Sequence, residues 1–345
     1  MVEDAASTTS RFGSGRVPAT EHVANRPIVH HVLDALQAAG VRDVVVASSA
    51  GAASSVRECL APRAHRDHMR LEFVENRTPL ELSAALCLAA PLIGADPCIV
   101  HTAGGLLAEP LAPLTQFLSE GADAVVTVHR TSAPDEQLSP FATRMLDLRD
   151  VDAARSALGL AGVWGFGPGA LRETATGPRP QPESAADLAR RVLAGCVNVR
   201  ARLTEAWHDY HGEAAELLEL NRIVLDLVCT EPSRPSGDGN RVEGRVWIDS
   251  TASVRASVLV GPLVIGPGAR IKDAYIGPYT SIGAGAEIEG AEIERSIISA
   301  GASVTHIGPR LNASVIGPNA RVFREFSLPR ALRLQVGDGS EIGLC

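Results

Sequence analysis

The hydrophobic pattern divides the chain into two regimes. From Pro27 onward, Ile28, Val32, Leu33 and Leu36 recur at helical spacing, Gly40 stops the helix, and Asp43–Ala47 (DVVVA) reads as a buried strand. Ala52–Leu60 predicts a helix, Leu71–Val74 a strand, Pro79–Leu92 a helix and Cys98–His101 a strand. Pro110–Leu118 and Ala124–Val128 repeat the helix-then-strand sequence. Short strands alternating with helices predict an α/β domain with a mainly parallel sheet. Beyond Asp147 the pattern is less regular: Leu160–Phe166 suits a strand, and Ala185–Ala194 and Ala214–Val228 suit helices. Glu231–Asn240 (EPSRPSGDGN) has the composition of a linker.

After that linker the apolar positions fall six apart: Ile248 to Val254, Ile265 to Ile271, Ile276 to Ile282 to Ile288, Ile298 to Val304, and Ile316 to Val322. A six-residue period with small residues between predicts a left-handed parallel β-helix, three short sides to a coil, each filling the core with an aliphatic side chain. Five-residue slips, as from Ile271 to Ile276, predict corner irregularities. The expected organisation is a disordered lead-in over residues 1–20, an α/β domain over 21–230 and a β-helix domain over 241–345.

Composition narrows the function classes. Aromatics are 4% of the 345 residues and the formal net charge is −8, which argues against base stacking and against binding a phosphate backbone. Lys272 is the only lysine among 32 basic residues, so no lysine-dependent step can be served from the first domain. The six cysteines are scattered with no C-x-x-C pair and read as buried free thiols. The first fifteen residues have no apolar core for a signal peptide, and no apolar run is long enough to span a bilayer. The expectation is a cytoplasmic protein without nucleic-acid or membrane partners.

The combination resembles the sugar-1-phosphate nucleotidyltransferases, and within them the long form of glucose-1-phosphate thymidylyltransferase. The residues that carry the resemblance are VANRPIVHHVLDALQAAGVRDVVV (23–46), FVENRTPLELSAAL (73–86), WHDYHGEAAELLELNRIVLD (207–226) and the hexads of SVLVGPLVIGPGARI and DAYIGPYTSIGAGAEIEGAEIERSII. The resemblance implies a nucleotidyltransferase (Rossmann-like) α/β domain followed by a left-handed β-helix. It implies a reaction in which a sugar 1-phosphate attacks the α-phosphate of a nucleoside triphosphate, where the protein supplies position and positive charge.

Residue by residue, the implied site is degenerate. A glycine-rich phosphate loop is expected near residues 3–11, where the chain reads EDAASTTSR; Gly13-Ser14-Gly15 follows no strand. The R-P-K lysine falls near Arg16–Pro18, without a lysine. Nothing apolar enough to replace the family's central first strand stands in residues 1–15. In the base-recognition segment Asn76 replaces a glutamine and Glu81 replaces a glycine, bringing bulk and charge where backbone should approach. The metal-holding G-D-N reads Ala103-Gly104-Gly105, so glycine stands for aspartate, and no E-K-P lies between Thr143 and Gly159. A start further upstream would not restore an aspartate at 104. Asp209, in W-H-D, is the one acidic position kept, with an extra residue before Gly212.

Other constellations read as structural: the HRDH loop (His65, Asp67, His68), His30 and His31 on a helix, and His306 alone in the β-helix. Ser48, Ser49, Ser54 and Ser55 have no nucleophile-elbow context. The expected function is therefore a glucose-1-phosphate thymidylyltransferase-like protein without catalytic residues or a metal site, with Asn76 and Asp209 as remnants of nucleotide binding. It would serve as a non-catalytic subunit, regulator or sugar-nucleotide sensor, in a homo-oligomer or with an active nucleotidyltransferase homologue, and need no cofactor. The alternative is an active sugar-1-phosphate nucleotidyltransferase with a rebuilt site that uses arginine for lysine, together with Mg²⁺.

Overall fold

The computed structural model describes residues 17–66, 69–76, 82–131, 158–176, 185–228 and 239–324. Several expectations lie outside them: the lead-in with Gly13–Gly15 and Arg16, Asp67 and His68, Glu81, the stretch 143–157, and most of the linker. The described chain begins with a 3-10 turn, Pro18–Thr20, and a hairpin of β1 (His22–Val23) and β2 (Arg26–Pro27). Helix α1 (Ile28–Ala38) follows, burying Ile28, Val29, Val32, Leu33 and Leu36 as their spacing predicts; Gly40, at φ +86, ends it.

β3 (Asp43–Ser49), α2 (Ala50–Arg66), β4 (Arg70–Asn76), α3 (Leu82–Ile93) and β5 (Cys98–His101) come next. They are followed by β6 (Gly105–Leu107), α4 (Ala112–Ser119), β7 (Ala124–Arg130), β8 (Leu158–Phe166), α5 (Ala170–Thr176), α6 (Ala185–Gly195), β9 (Val199–Thr204) and β10 (Trp207–Asp209). The β3–β4 pair is parallel, and the larger sheet runs in the order β5-β8-β7-β9. This corrects the mainly parallel expectation. β8 lies antiparallel to both β5 and β7, and only β7–β9 in this sheet is parallel. Alternation of helix and strand dictates parallel pairing only where a helical crossover joins neighbouring strands. Two apolar clusters lie in this α/β unit, one around Leu33, Val44, Leu111 and Val125 and the other around Leu86, Val126, Trp164 and Phe166.

By its contacts the chain forms two compact units. Among the described residues, the first comprises Val17–Thr20 and those from Ile28 to Asp209; the second comprises Glu21–Pro27 and those from Tyr210 on. Helix α7 (Ala214–Val228) therefore groups with the repeat region rather than with the α/β unit. Asn221 at its centre explains this. Fully buried, it accepts the Ala24 N–H (2.8 Å) and the Ser281 hydroxyl (2.6 Å), and donates to the Tyr279 carbonyl (3.1 Å). Asn25, in a left-handed turn at φ 62, donates to the Ile282 carbonyl (2.6 Å). The hairpin, helix and repeat are one hydrogen-bonded body.

The repeat is a parallel β-solenoid of three five-stranded ladders. Ile265, Ile271, Ile276, Ile282, Ile288, Ile298 and Val304 are all buried in its core, as their six-residue spacing requires. Paired residues on successive coils lie 17 apart in the earlier coils (Val246 and Leu263), 16 apart at Ser281 and Ile297 and at Glu287 and Ser303, and 18 apart in the last (Ile297 and Val315). Three full hexads give the longest step; shortened sides give the others, as the five-residue slips require. Residues at outward positions pair from coil to coil instead, as in Lys272–Glu289 (2.7 Å).

Candidate functional site

The end of the α/β sheet gathers the residues of interest. Antiparallel pairing of β10 with β6 sets Trp207 opposite Leu107 and Asp209 opposite Gly105. The strand that carries Asp209 thus lies against the segment around Gly104 and Gly105, and Gly104 offers no side-chain ligand there. Asp209 Oδ1 accepts the indole N–H of Trp207 at 2.8 Å, and Oδ2 stands 3.9 Å from Nε2 of His129, near the end of β7. Trp207 is 5% exposed, and its ring lies where side chains at Gly105 and Gly162 would be: a Cβ at either would come within 2.6 Å of it. Glycine at both positions is what seats the indole.

His101, at the end of β5, is fully buried beside that ring, with centroids 5.7 Å apart. Its Nδ1–H donates to the Thr102 carbonyl at 2.6 Å, and Nε2 meets no partner among the described residues. Burial pushes its pKa down from 6.5 to about 4, so the ring is neutral at physiological pH. On β9, Arg202 donates to Glu109 Oε2 at 3.0 Å, and Thr204 donates to the other oxygen at 2.5 Å. Parallel pairing with β7 places Thr127 beside Arg202 and His129 beside Thr204. His129 thus stands beside one carboxylate, Asp209, and Arg202 beside another, Glu109.

The two remnants stand in different sheets. Asn76 closes β4 opposite Ser49 of β3, while Asp209 lies in the β6–β10 pair. Reading the sequence found Asp209 and the W-H-D strand but not His129, Glu109 or Arg202. Only the sheet register brings these together, and the alternation in VRARLT (199–204) is the one local hint that Arg202 and Thr204 share a face. Among the described residues no group of three or more His, Cys, Asp or Glu side chains could hold a metal ion. One carboxylate, already accepting the indole N–H, does not fit the two-acid Mg²⁺ site the sequence resemblance implies. The four described cysteines form no disulfide with one another; burial pushes the Cys98 thiol up to about 11. Among the described residues no helix is long and apolar enough to cross a membrane.

The comparisons with known proteins agree with this fold. No family model matches the chain. A crystal structure provisionally assigned as a glucose-1-phosphate thymidylyltransferase, from Bacillus anthracis and in complex with sucrose, aligns with a TM-score of 0.55 at 12% identity, covering 68% of this chain and 96% of that one; it speaks for the fold alone. In sequence the chain is similar, over nearly its whole length, to sugar-1-phosphate nucleotidyltransferases. Within that class its similarity is to the glucose-1-phosphate thymidylyltransferases. That of Streptomyces antibioticus is 28% identical over 93% of this chain and 91% of its own, and that of Streptomyces griseus 29% over 92% and 91%. The low-salt glycan biosynthesis nucleotidyltransferase Agl11 of Haloferax volcanii is 24% identical over 93% of this chain and 92% of its own.

Proposed function

We propose that this chain is a non-catalytic relative of the glucose-1-phosphate thymidylyltransferases, acting as a subunit, regulator or sugar-nucleotide sensor. The observation that carries the reading is Asp209 lying opposite Gly105, its Oδ1 held by Trp207 and its Oδ2 turned toward His129. The family reaction brings two anions together and needs cations free to receive them. Here the first unit has no lysine, and Arg202 is engaged with Glu109. One well-placed cation in phosphoryl transfer is worth about 10³–10⁵ in rate, and even the smaller figure applied once removes about 4 kcal/mol of transition-state stabilisation. The near full-length similarity to thymidylyltransferases supports a sugar nucleotide or nucleoside triphosphate as ligand, and an oligomer with itself or with an active homologue as the assembly.

The test is pyrophosphate release from nucleoside triphosphates and sugar 1-phosphates with Mg²⁺, beside a thymidylyltransferase control. Turnover faster than about one per minute, still far below ordinary enzyme rates, would remove the proposal. Binding of thymidine nucleotide without turnover would favour the sensor, and co-purification with an active relative the subunit.

A further inference from the structure

The second unit has a recess between α7 and one corner of the solenoid. Ala215, Leu218, Glu219 and Arg222 form the helical wall, spaced as one face of a helix. Tyr279, Arg295 and Ala313 form the other, one above another on successive coils. Their amides donate to the carbonyls of Pro262, Pro278 and Glu294 on the coil before, and all three are left-handed, at φ 59, 48 and 47. His306 apart, the non-glycine residues in that conformation at the other corners are Ala256, Asp273 and Asn319, which are small or can bond their own backbone. Tyrosine and arginine have no such local reason to stand there. Alanine at 215 and 313 keeps the recess open, at about 180 Å³ with one side to solvent. Pockets for drug-sized ligands begin at roughly 300 Å³, so this one takes a small group rather than a nucleotide.

The charges around the recess do not cancel. Glu219 has both oxygens on Arg222, at 2.9 and 2.7 Å, and the remaining arm of that guanidinium reaches Asp226 at 3.3 Å. Glu294, next to Arg295 in the chain, is held by Arg310 at 3.2 Å. Among the described residues Arg295 meets no carboxylate, and the Tyr279 hydroxyl meets no hydrogen-bond partner. We propose that this recess binds the phosphate group of a small molecule. Arg295 is its ionic partner and the Tyr279 hydroxyl a second donor. Arg222, 6.0 Å from the centre of the Tyr279 ring, adds positive charge from the helical wall. Donors arriving from two walls suit an anion with oxygens in several directions better than a flat carboxylate. The site lies wholly within the second unit and does not depend on whether the α/β unit is catalytic.

Isothermal titration calorimetry of the full chain at low ionic strength tests this, with inorganic phosphate and, separately, glycerol 3-phosphate. A saturable site is expected for at least one of them, and the tighter of the two tells free phosphate from a phosphate ester. Arg295 is exposed, so the fold does not hang on it. Arg295→Gln should weaken binding about tenfold or more, and Tyr279→Phe about threefold. Arg255→Gln removes an exposed arginine elsewhere on the solenoid and should leave binding as it was, which controls for the loss of charge. No saturable binding of either probe, parent-like binding by Arg295→Gln, or equal weakening by Arg255→Gln would overturn the assignment.

Discussion

Replacing His101 with leucine should flatten the fall in stability between about pH 7.5 and pH 4.5. The imidazole is fully buried, its Nδ1–H is committed to the Thr102 carbonyl, and no described acceptor faces Nε2. A second proton therefore has nowhere favourable to go, and burial lowers the pKa from 6.5 to about 4. Above 6.5 the ring is neutral in both folded and unfolded chains and contributes no pH dependence. As pH falls below that, the unfolded chain takes up a proton that the folded chain refuses, so stability drops until the folded pKa is reached. Each pH unit in that window costs about 1.4 kcal/mol, which makes about 3 kcal/mol in all and somewhat less by pH 4.5. Urea titrations of the parent and His101→Leu at both pH values isolate this contribution, since the carboxylates titrate alike in both. The parent should lose about 2–3 kcal/mol more than the variant on acidification. Equal losses, or an NMR titration of His101 near pH 6, would refute the reasoning.

Two substitutions test the packing on either side of the candidate site. Gly105→Ala sets a methyl group against the Trp207 indole, at a site where the ring and its bond to Asp209 leave no easy retreat; a loss of about 1–3 kcal/mol in urea is expected, with Trp207 fluorescence shifted to the red. Asn221→Ala strands the Ala24 amide and the Ser281 hydroxyl inside the second unit, so it should cost about 3 kcal/mol, read as a lower midpoint in thermal unfolding.

The sequence was most legible where one element decides its own structure. Helix α1 and strands β3, β5 and β7 follow from apolar spacing, because one face of each meets the core whatever the partner. The solenoid was legible for the same reason, repeated coil after coil. What escaped depends on partners far along the chain. The β1–β2 hairpin turns through Ala24 and Asn25, both at positive φ, and two-residue strands carry no periodicity. α2 continues past Leu60 to Arg66 with Pro62 inside it, where a proline reads as an end. β8 gave no hint of its direction, since strand patterning is the same either way. Asp209 was found by its motif; Glu109, His129 and Arg202 have no motif, and only pairing across the sheet makes them neighbours.

The single lysine gains its meaning from this neighbourhood. A preference for arginine over lysine explains exchanges on a surface, and would by itself leave the charge of a phosphate site intact. It does not explain a glycine at 104. Asp209 stands partly buried, and the structure sets beside it an indole donor and an imidazole. Glu109 is held in the same way by Arg202 and Thr204. Both carboxylates here are answered from within the protein. A catalytic site for two anions needs the opposite arrangement, cations held in place with nothing yet to neutralise them. Putting lysine back would therefore not be enough: Glu109 and Asp209 already bind the local donors, and any incoming phosphate would have to compete with them.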